Sequence, residues 1–233
     1  MNTVTYHSVQ GDRTHQEDRF MLREYEDPTH TLAAVWDGHG GDVSAQELLE
    51  SCEEIWDTTE DMVDVFSKMA EKVEHNDSGA TCSIVNAYKD RAQIAILGDS
   101  PVIAKALGKV IIYPVHNART NREEREAAMS RGAVWDGAYL MEANGYMGLQ
   151  ISRSLGDYNL RSFLSRVPDI HTIDSPWEWI LIGTDGMFSG QDVSLANPDV
   201  SKAISMMNKG ATAEDIVMAS IKADNVTAIV IRK

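Results

Sequence analysis

The chain has 233 residues, 43% of them hydrophobic, which suits one domain with a core of its own. There are 36 acidic and 21 basic residues, and the net charge of −15 disfavours nucleic acid and anionic membrane as partners. Two cysteines, Cys52 and Cys82, are too few for a disulfide framework, no apolar run approaches the ~20 residues of a membrane span, and Met1 to Thr5 lacks the features of a signal peptide; a soluble protein of a reducing, cytoplasmic compartment is expected.

In chain order, Thr3 to Val9, Asp18 to Tyr25 and Thr31 to Asp37 predict strands from their β-branched and apolar content. The run Leu32-Ala33-Ala34-Val35-Trp36 is nearly continuous, as in a strand buried on both faces. Val43 to Trp56 carries Leu48, Leu49, Cys52 and Ile55 at helical spacing, and Met62 to Val73 carries Met62, Val65, Phe66, Met69 and Val73. Ala80 to Tyr88, Ala92 to Leu97, Val102 to Leu107 and Lys109 to Tyr113 follow as strands, and turns as short as Lys89-Asp90 and Gly108 favour antiparallel pairing over crossover helices. Asn121-Arg122-Glu123-Glu124 predicts a capped helix to about Arg131, stopped by Gly132. Gly132 to Gly148 is glycine-rich and aperiodic, which predicts an exposed loop, and the whole of 119–148 is expected to form a flap. Trp179 to Gly183 and Val226 to Ile231 predict strands, and Thr212-Ala213-Glu214-Asp215 opens a helix to about Lys222. No repeat or linker divides 1–233, and segregated strand and helix blocks predict an α+β domain of two antiparallel sheets with helices outside.

Several carboxylates stand where an apolar strand breaks into a turn: Asp37 in Trp36-Asp37-Gly38-His39-Gly40-Gly41, Asp99 in Gly98-Asp99-Ser100, Asp185 in Thr184-Asp185-Gly186, and Asp224 before Asn225-Val226. Glu17 and Asp18 open a strand together. One Asp-Gly pair alone is ordinary turn chemistry. A set of acids at strand ends is different, because a buried carboxylate is costly unless paired or bound to a cation, and hard oxygen donors suit magnesium or manganese.

These segments together resemble the protein phosphatase 2C family of metal-dependent serine/threonine phosphatases. Arg13 followed by Glu17-Asp18 resembles its first motif, and Asp37-Gly38-His39-Gly40-Gly41 matches its signature without a change. Ser78-Gly79-Ala80-Thr81, Gly98-Asp99-Ser100, Ser152-Arg153-Ser154-Leu155-Gly156-Asp157, Thr184-Asp185-Gly186 and Asp224-Asn225 follow in family order across nearly the whole chain. The resemblance implies a four-layer αββα sandwich and a pair of Mn2+ or Mg2+ ions. It implies that Asp37 bridges the ions, with Asp185 and Asp224 on one and Glu17 and the Gly38 carbonyl on the other. Asp18 would hold the waters around them. Arg13 would bind the phosphate and His39 would act as general acid toward the departing serine or threonine oxygen. Asn225 is expected to position Asp224 or its turn, and Arg153 and Asp157 to serve as an internal ion pair or cap.

Two positions depart from the family pattern: Pro101 stands where arginine is usual, and Ser189 where an acid usually follows Asp185 by four residues. A third cation, held mainly by Asp99, is therefore expected to be weaker. The implied partner is a phosphoprotein, and the chain is expected to be a monomer. Two other readings stay open here: a metal-dependent phosphoesterase acting on small molecules, and an inactive relative serving as a binding module. The intact acidic set argues against the second.

Overall fold

The structure, a computed structural model, describes residues 2–26, 29–59, 61–221 and 223–233. In chain order the elements are β1 (Thr3–Val9), β2 (Arg19–Glu26), β3 (Thr29–Trp36), β4 (Gly38–His39), α1 (Val43–Asp57), α2 (Met62–Lys72), β5 (Gly79–Ala80), β6 (Cys82–Tyr88), β7 (Ala92–Leu97), β8 (Val102–Ala106) and β9 (Lys109–Ile112). Then come α3 (Arg122–Ser130), β10 (Val134–Trp135), β11 (Leu140–Met141), β12 (Gly148–Leu149), β13 (Leu155–Gly156), β14 (Asp169–Ile173), β15 (Trp177–Gly183), α4 (Pro198–Asn208), α5 (Ala213–Ala219) and β16 (Val226–Arg232).

Two five-stranded sheets carry the fold, in the orders β1-β16-β15-β8-β9 and β14-β7-β6-β3-β2. All their pairings are antiparallel. The alternation of side chains along a strand builds the layers. In β3, Ala33 and Val35 face the β1-β16-β15-β8-β9 sheet, in one apolar cluster with Ile94, Ile96, Ile180, Ile182 and Ile229. Leu32, Ala34 and Trp36 face the other way, against Leu48 and Cys52 of α1 and Phe66 and Met69 of α2. The outer face of the β1-β16-β15-β8-β9 sheet does the same with Leu181, Ala228 and Val230 under Val200 and Ile204 of α4 and Ile216 of α5. The order of layers is thus helix, sheet, sheet, helix. Full burial of a chain the size of Ile182 or Leu181 is worth about 1.5–3 kcal/mol, so this interleaved core dominates stability.

Helix starts follow local hydrogen bonding. The Asp61 carboxylate accepts from Val63 N at 2.7 Å, Asn121 from Glu124 N at 3.3 Å, and Asn197 from Asp199 N at 2.9 Å with Pro198 in the first turn. Thr212 and Asp215 form the reciprocal capping box the sequence predicts.

Four expectations need adjustment. The aperiodic stretch 132–148 is not wholly loop: β10, β11 and β12 pair into a small antiparallel sheet over an apolar cluster of Ala128, Leu140 and Phe163. Strands of two residues are too short to show a period. Helix α4 and strand β14 have no counterpart in the sequence reading. The expected helix end at Lys222 lies outside the described residues, and α5 ends at Ala219. The expected strand over Ala80 to Tyr88 is interrupted at Thr81, where β5 leaves to pair with β4 and β13.

Candidate active site

Antiparallel pairing aligns the strand ends that carry the acids. Arg19 pairs with Trp36, which sets Glu17 and Asp18 beside Asp37, and Gly183 pairs with Ala228, which sets Asp185 beside Asp224. Asp99 follows the end of β7. Every acid that the sequence singles out for metal binding, Glu17, Asp37, Asp99, Asp185 and Asp224, lines one open cleft of about 430 Å³ together with Gly38, Arg13 and His39. Asp18 lies behind them, 4% exposed. Its Oδ2 accepts from Thr184 Oγ1 at 2.9 Å and Thr227 Oγ1 at 2.7 Å, while its Oδ1 has no partner.

The electrostatics are those of crowded negative charge. Burial, and then the charges of Asp185, Asp18 and Asp99, hold the Asp37 carboxyl well above the usual carboxylate range. Asp37 is hydrogen-bonded to Asp185, which burial and the charges of Asp99 and Asp224 push up to about 7. Burial raises Asp18 to about 6 against the pull of the two threonine hydroxyls. Asp99 is raised by burial, an effect reduced by Asn117 Nδ2, which donates to its Oδ2 at 2.8 Å.

The remaining contacts fix the segments that present these groups. Asn225 Oδ1 accepts from Glu17 N at 2.7 Å, and its Nδ2 donates to the carbonyls of Gln10 and His15. Asn225 therefore ties the N-terminal loop to the start of β16, a positioning role wider than its own turn. Glu17 Oε1 accepts from Gly41 N at 2.8 Å, which joins the two motifs directly. Arg13 is 53% exposed and its Nη2 meets Asp224 Oδ2 at 2.5 Å. His39 Nε2 donates to Asp157 Oδ2 at 2.8 Å. Burial lowers the His39 pKa, but the Asp157 hydrogen bond and charge outweigh it and hold the ring above its ordinary value. A Cβ at Gly79 would lie 2.0 Å from Asp157 Oδ2 and 2.4 Å from His39 Nε2, so only glycine leaves room for that pair.

Asp157 and Arg153 do not pair with each other. Asp157 serves His39 and accepts from Ser154 Oγ at 2.5 Å, in a left-handed backbone conformation with φ of 52°. Arg153 instead bridges Glu124 and Asp169. Asp169 accepts from His116 Nε2 at 3.1 Å, and His116 Nδ1 accepts from Gly98 N at 3.0 Å, so a charged layer supports the turn that carries Asp99. Sequence reasoning missed Asp157, His116 and Asn117 as positioning groups. The place of Asp157 at the end of the Ser152–Asp157 motif was a usable signal for the first; nothing in the local sequence marks the other two. Ser189, where an acid was expected, is tied to Asp199, to which both its N–H and its hydroxyl donate.

Among the described residues no three acid, histidine or cysteine side chains are already arranged about a common point for a metal ion. Asp224 spends an oxygen on Arg13, and Asp37 and Asp185 share a hydrogen bond. The donor chemistry nevertheless fits divalent cations. The donors are all oxygen, their repulsion calls for positive charge, and Asp18 Oδ1 is a buried acceptor lacking a donor. Arg13 and His39 are the only basic side chains among the described residues lining the cleft.

Residues 3–193 match the family described as protein phosphatase 2C. Curated relatives include a probable protein phosphatase 2C 11 of Arabidopsis thaliana, 27% identical over 97% of this chain, and a probable protein phosphatase 2C 59 of the same plant, also 27% identical over 97%. The chain spans 65% of the length of the first and 78% of the second. Among solved structures, the serine-threonine phosphatase 2C of Toxoplasma gondii superposes with a TM-score of 0.76 at 18% identity, over 98% of this chain and 94% of that one. That likeness is one of fold.

Proposed function

This chain belongs to the protein phosphatase 2C family, whose members are metal-dependent, and from that membership we propose that it hydrolyses phosphoserine and phosphothreonine esters in proteins. The observation that carries the reading is the convergence of Glu17, Asp37, Asp185 and Asp224 with Arg13 and His39 in one cleft. Glu17, Asp37 and the Gly38 carbonyl would hold one Mn2+ or Mg2+ ion; Asp37, Asp185 and Asp224 would hold the other; Asp99 would be the main ligand of a weaker third. Bound there, such ions supply Lewis acidity that lowers the pKa of water and offsets phosphate charge.

The chain's own residues do the rest. Arg13 is exposed and exchanges Asp224 for two oxygens of the phosphate, a bidentate clamp that places phosphorus in line. Asp18 lies buried behind the cleft acids, and its unpartnered Oδ1 would orient water held between them. His39, held by Asp157 through Nε2, carries its transferable proton on Nδ1 and delivers it to the serine or threonine oxygen as the P–O bond breaks. A water oxygen bonds to phosphorus opposite the departing oxygen, the alkoxide leaves as a neutral hydroxyl, and the water's oxygen stays with the inorganic phosphate. Asn117 keeps Asp99 facing the cleft, so loss of Asp99 is expected to affect turnover more than the tight binding of two ions.

Turnover of phosphopeptides and of p-nitrophenyl phosphate with and without manganese and a chelator tests this. The expected result is manganese-dependent release of phosphate from phosphoserine or phosphothreonine peptides, abolished by chelation and by Asp37→Ala. Chelator-resistant turnover, or none on any phosphopeptide, would sink the proposal.

A further inference from the structure

At the far end of the β14-β7-β6-β3-β2 sheet lies a second pocket. It sits where α1 gives way to α2, six residues along β3 from the active-site end, roughly 20 Å at the rise of a strand. Its volume is about 300 Å³, and Tyr25, His30, Trp56, Asp57, Asn86 and Tyr88 form its main walls. That is the lower end of the size range of small-ligand sites.

Three observations define what would fit. Asn86 is 3% exposed, and its Oδ1 has no hydrogen-bond partner although its Nδ2 donates to Tyr88 Oη at 3.1 Å. The assignment rests on this orientation: with the amide turned over, Oδ1 would accept from Tyr88 Oη and Nδ2 would face the pocket as a donor. A buried amide oxygen without a donor is costly. Next, the wall is a ring stack: Tyr25 and His30 lie 4.3 Å apart at 7°, and His30 and Tyr88 4.8 Å apart at 28°. Its outer members already carry guanidinium groups of this chain, Arg23 at 4.6 Å over Tyr25 and Arg91 at 4.4 Å over Tyr88. Finally, Asp57 and Asp61 line the pocket while no lysine or arginine does so among the described residues; from outside it, Arg23 Nη1 reaches Asp57 Oδ2 at 2.9 Å, and Tyr25 Oη donates to Asp57 Oδ1 at 3.0 Å, so an added donor would use the remaining lone pairs of that carboxylate.

We propose that this pocket binds a guanidinium group, with N–H donors to Asn86 Oδ1 and the Asp57 carboxylate, beside the ring of Trp56. Acceptors on separate walls need donors pointing in more than one direction, which a planar fork of five N–H groups supplies and a single ammonium does less well. Aromatic faces and a carboxylate reward a weakly hydrated cation. The group can come from a free organic cation or from an arginine side chain. The alternative is a pocket holding solvent only, with one water on Asn86.

Two-dimensional amide NMR of the full chain distinguishes these outcomes without reference to turnover, so failure of the phosphatase reading leaves the test intact. Agmatine represents the free cation and an end-blocked Ala-Arg-Ala peptide the side chain; the citrulline counterpart of the peptide is the neutral control. Saturable shifts of the Asn86 side-chain amide and the Trp56 indole N–H are expected with agmatine. The same shifts with the arginine peptide extend the site to protein ligands, and their absence there limits it to free cations. Asn86→Leu should weaken binding about tenfold or more. Asp57→Asn, which retains an acceptor for Tyr25 Oη, should weaken it as well, and it serves if Asn86→Leu fails to fold. No saturable shift with agmatine, or equal shifts with the citrulline peptide, overturns the assignment.

Discussion

Replacing Arg153 with methionine tests how the charged layer beneath the site is held. Arg153 is 16% exposed, bonds Glu124 Oε1 at 2.5 Å and Asp169 Oδ1 at 2.7 Å, and through Asp169 steadies His116 and the Gly98 turn. Methionine keeps much of the stem's packing and removes the charge. Glu124, 11% exposed, is then left with Ser152 Oγ as its hydrogen-bond donor from this layer. Deleting one member of a buried pair costs about 3–5 kcal/mol; the remaining serine bond and the partial exposure of Asp169 point to about 3 kcal/mol. For a chain of this size that is a fall of about 6–12 °C in Tm. Acid gives a second signature. In the parent, burial raises the Glu124 pKa, but Arg153 and Ser152 outweigh it and hold the group below its ordinary value. Its contribution is therefore present above the unfolded-state pKa and lost as pH falls through the folded one. Without Arg153 the burial penalty is opposed only by Ser152 and the more distant His116, the Glu124 pKa rises, and protonation relieves the cost. The stability gap between parent and variant should narrow from about pH 7 toward about pH 5. Urea denaturation at both pH values measures it, and Arg153→Met/Glu124→Gln should recover a large part of the loss. A loss under about 1 kcal/mol at neutral pH, or a gap that does not close on acidification, would refute the reasoning.

Asp185→Asn should eliminate turnover yet raise the Tm measured in chelator, because it removes a charge that repels Asp37, Asp99 and Asp224; a lower Tm would mean that the carboxylates are not in conflict. His39→Ala should lower kcat on a phosphoserine peptide by roughly 10²–10⁴-fold, less on p-nitrophenyl phosphate whose leaving group needs no proton, while calorimetry shows manganese affinity unchanged. Gly79→Ala should fold, since β4 and β5 are short, but lose kcat as the new methyl separates His39 from Asp157; wild-type kcat would show that the pair is not needed.

The sequence made the strands of both large sheets legible wherever residues alternate or run apolar, as in β1, β3 and β7, and α1 and α2 through their apolar stripes. The acids at the strand ends were legible as well, because each sits on a turn dipeptide and their order matches a family. What stayed hidden depends on distance in the chain. His116 reads as an isolated histidine until β14 brings Asp169 to it, and Asp157 reads as a cap until β5 and β13 bring it to His39. α4 was legible in principle, with Val200, Ala203, Ile204 and Met207 at helical spacing, but the Asn-Pro start and Ser-rich body look like loop. The Asn86 pocket had no signal in advance, since a polar residue in a strand announces nothing until its partners are counted.

The strand order has a consequence for how the molecule is made. β16 comes last of the strands in chain order yet sits between β1 and β15, and pairs with both along most of its length. On a ribosome, β1 and β15 must wait with bare edges for it, separated by most of the chain. Such distant closure is slow, and an unfilled slot flanked by two open edges invites pairing with another molecule. Nascent or briefly unzipped copies of this protein should therefore be more prone to self-association than the finished fold, and a short peptide with the β16 sequence would be a competitor for the slot.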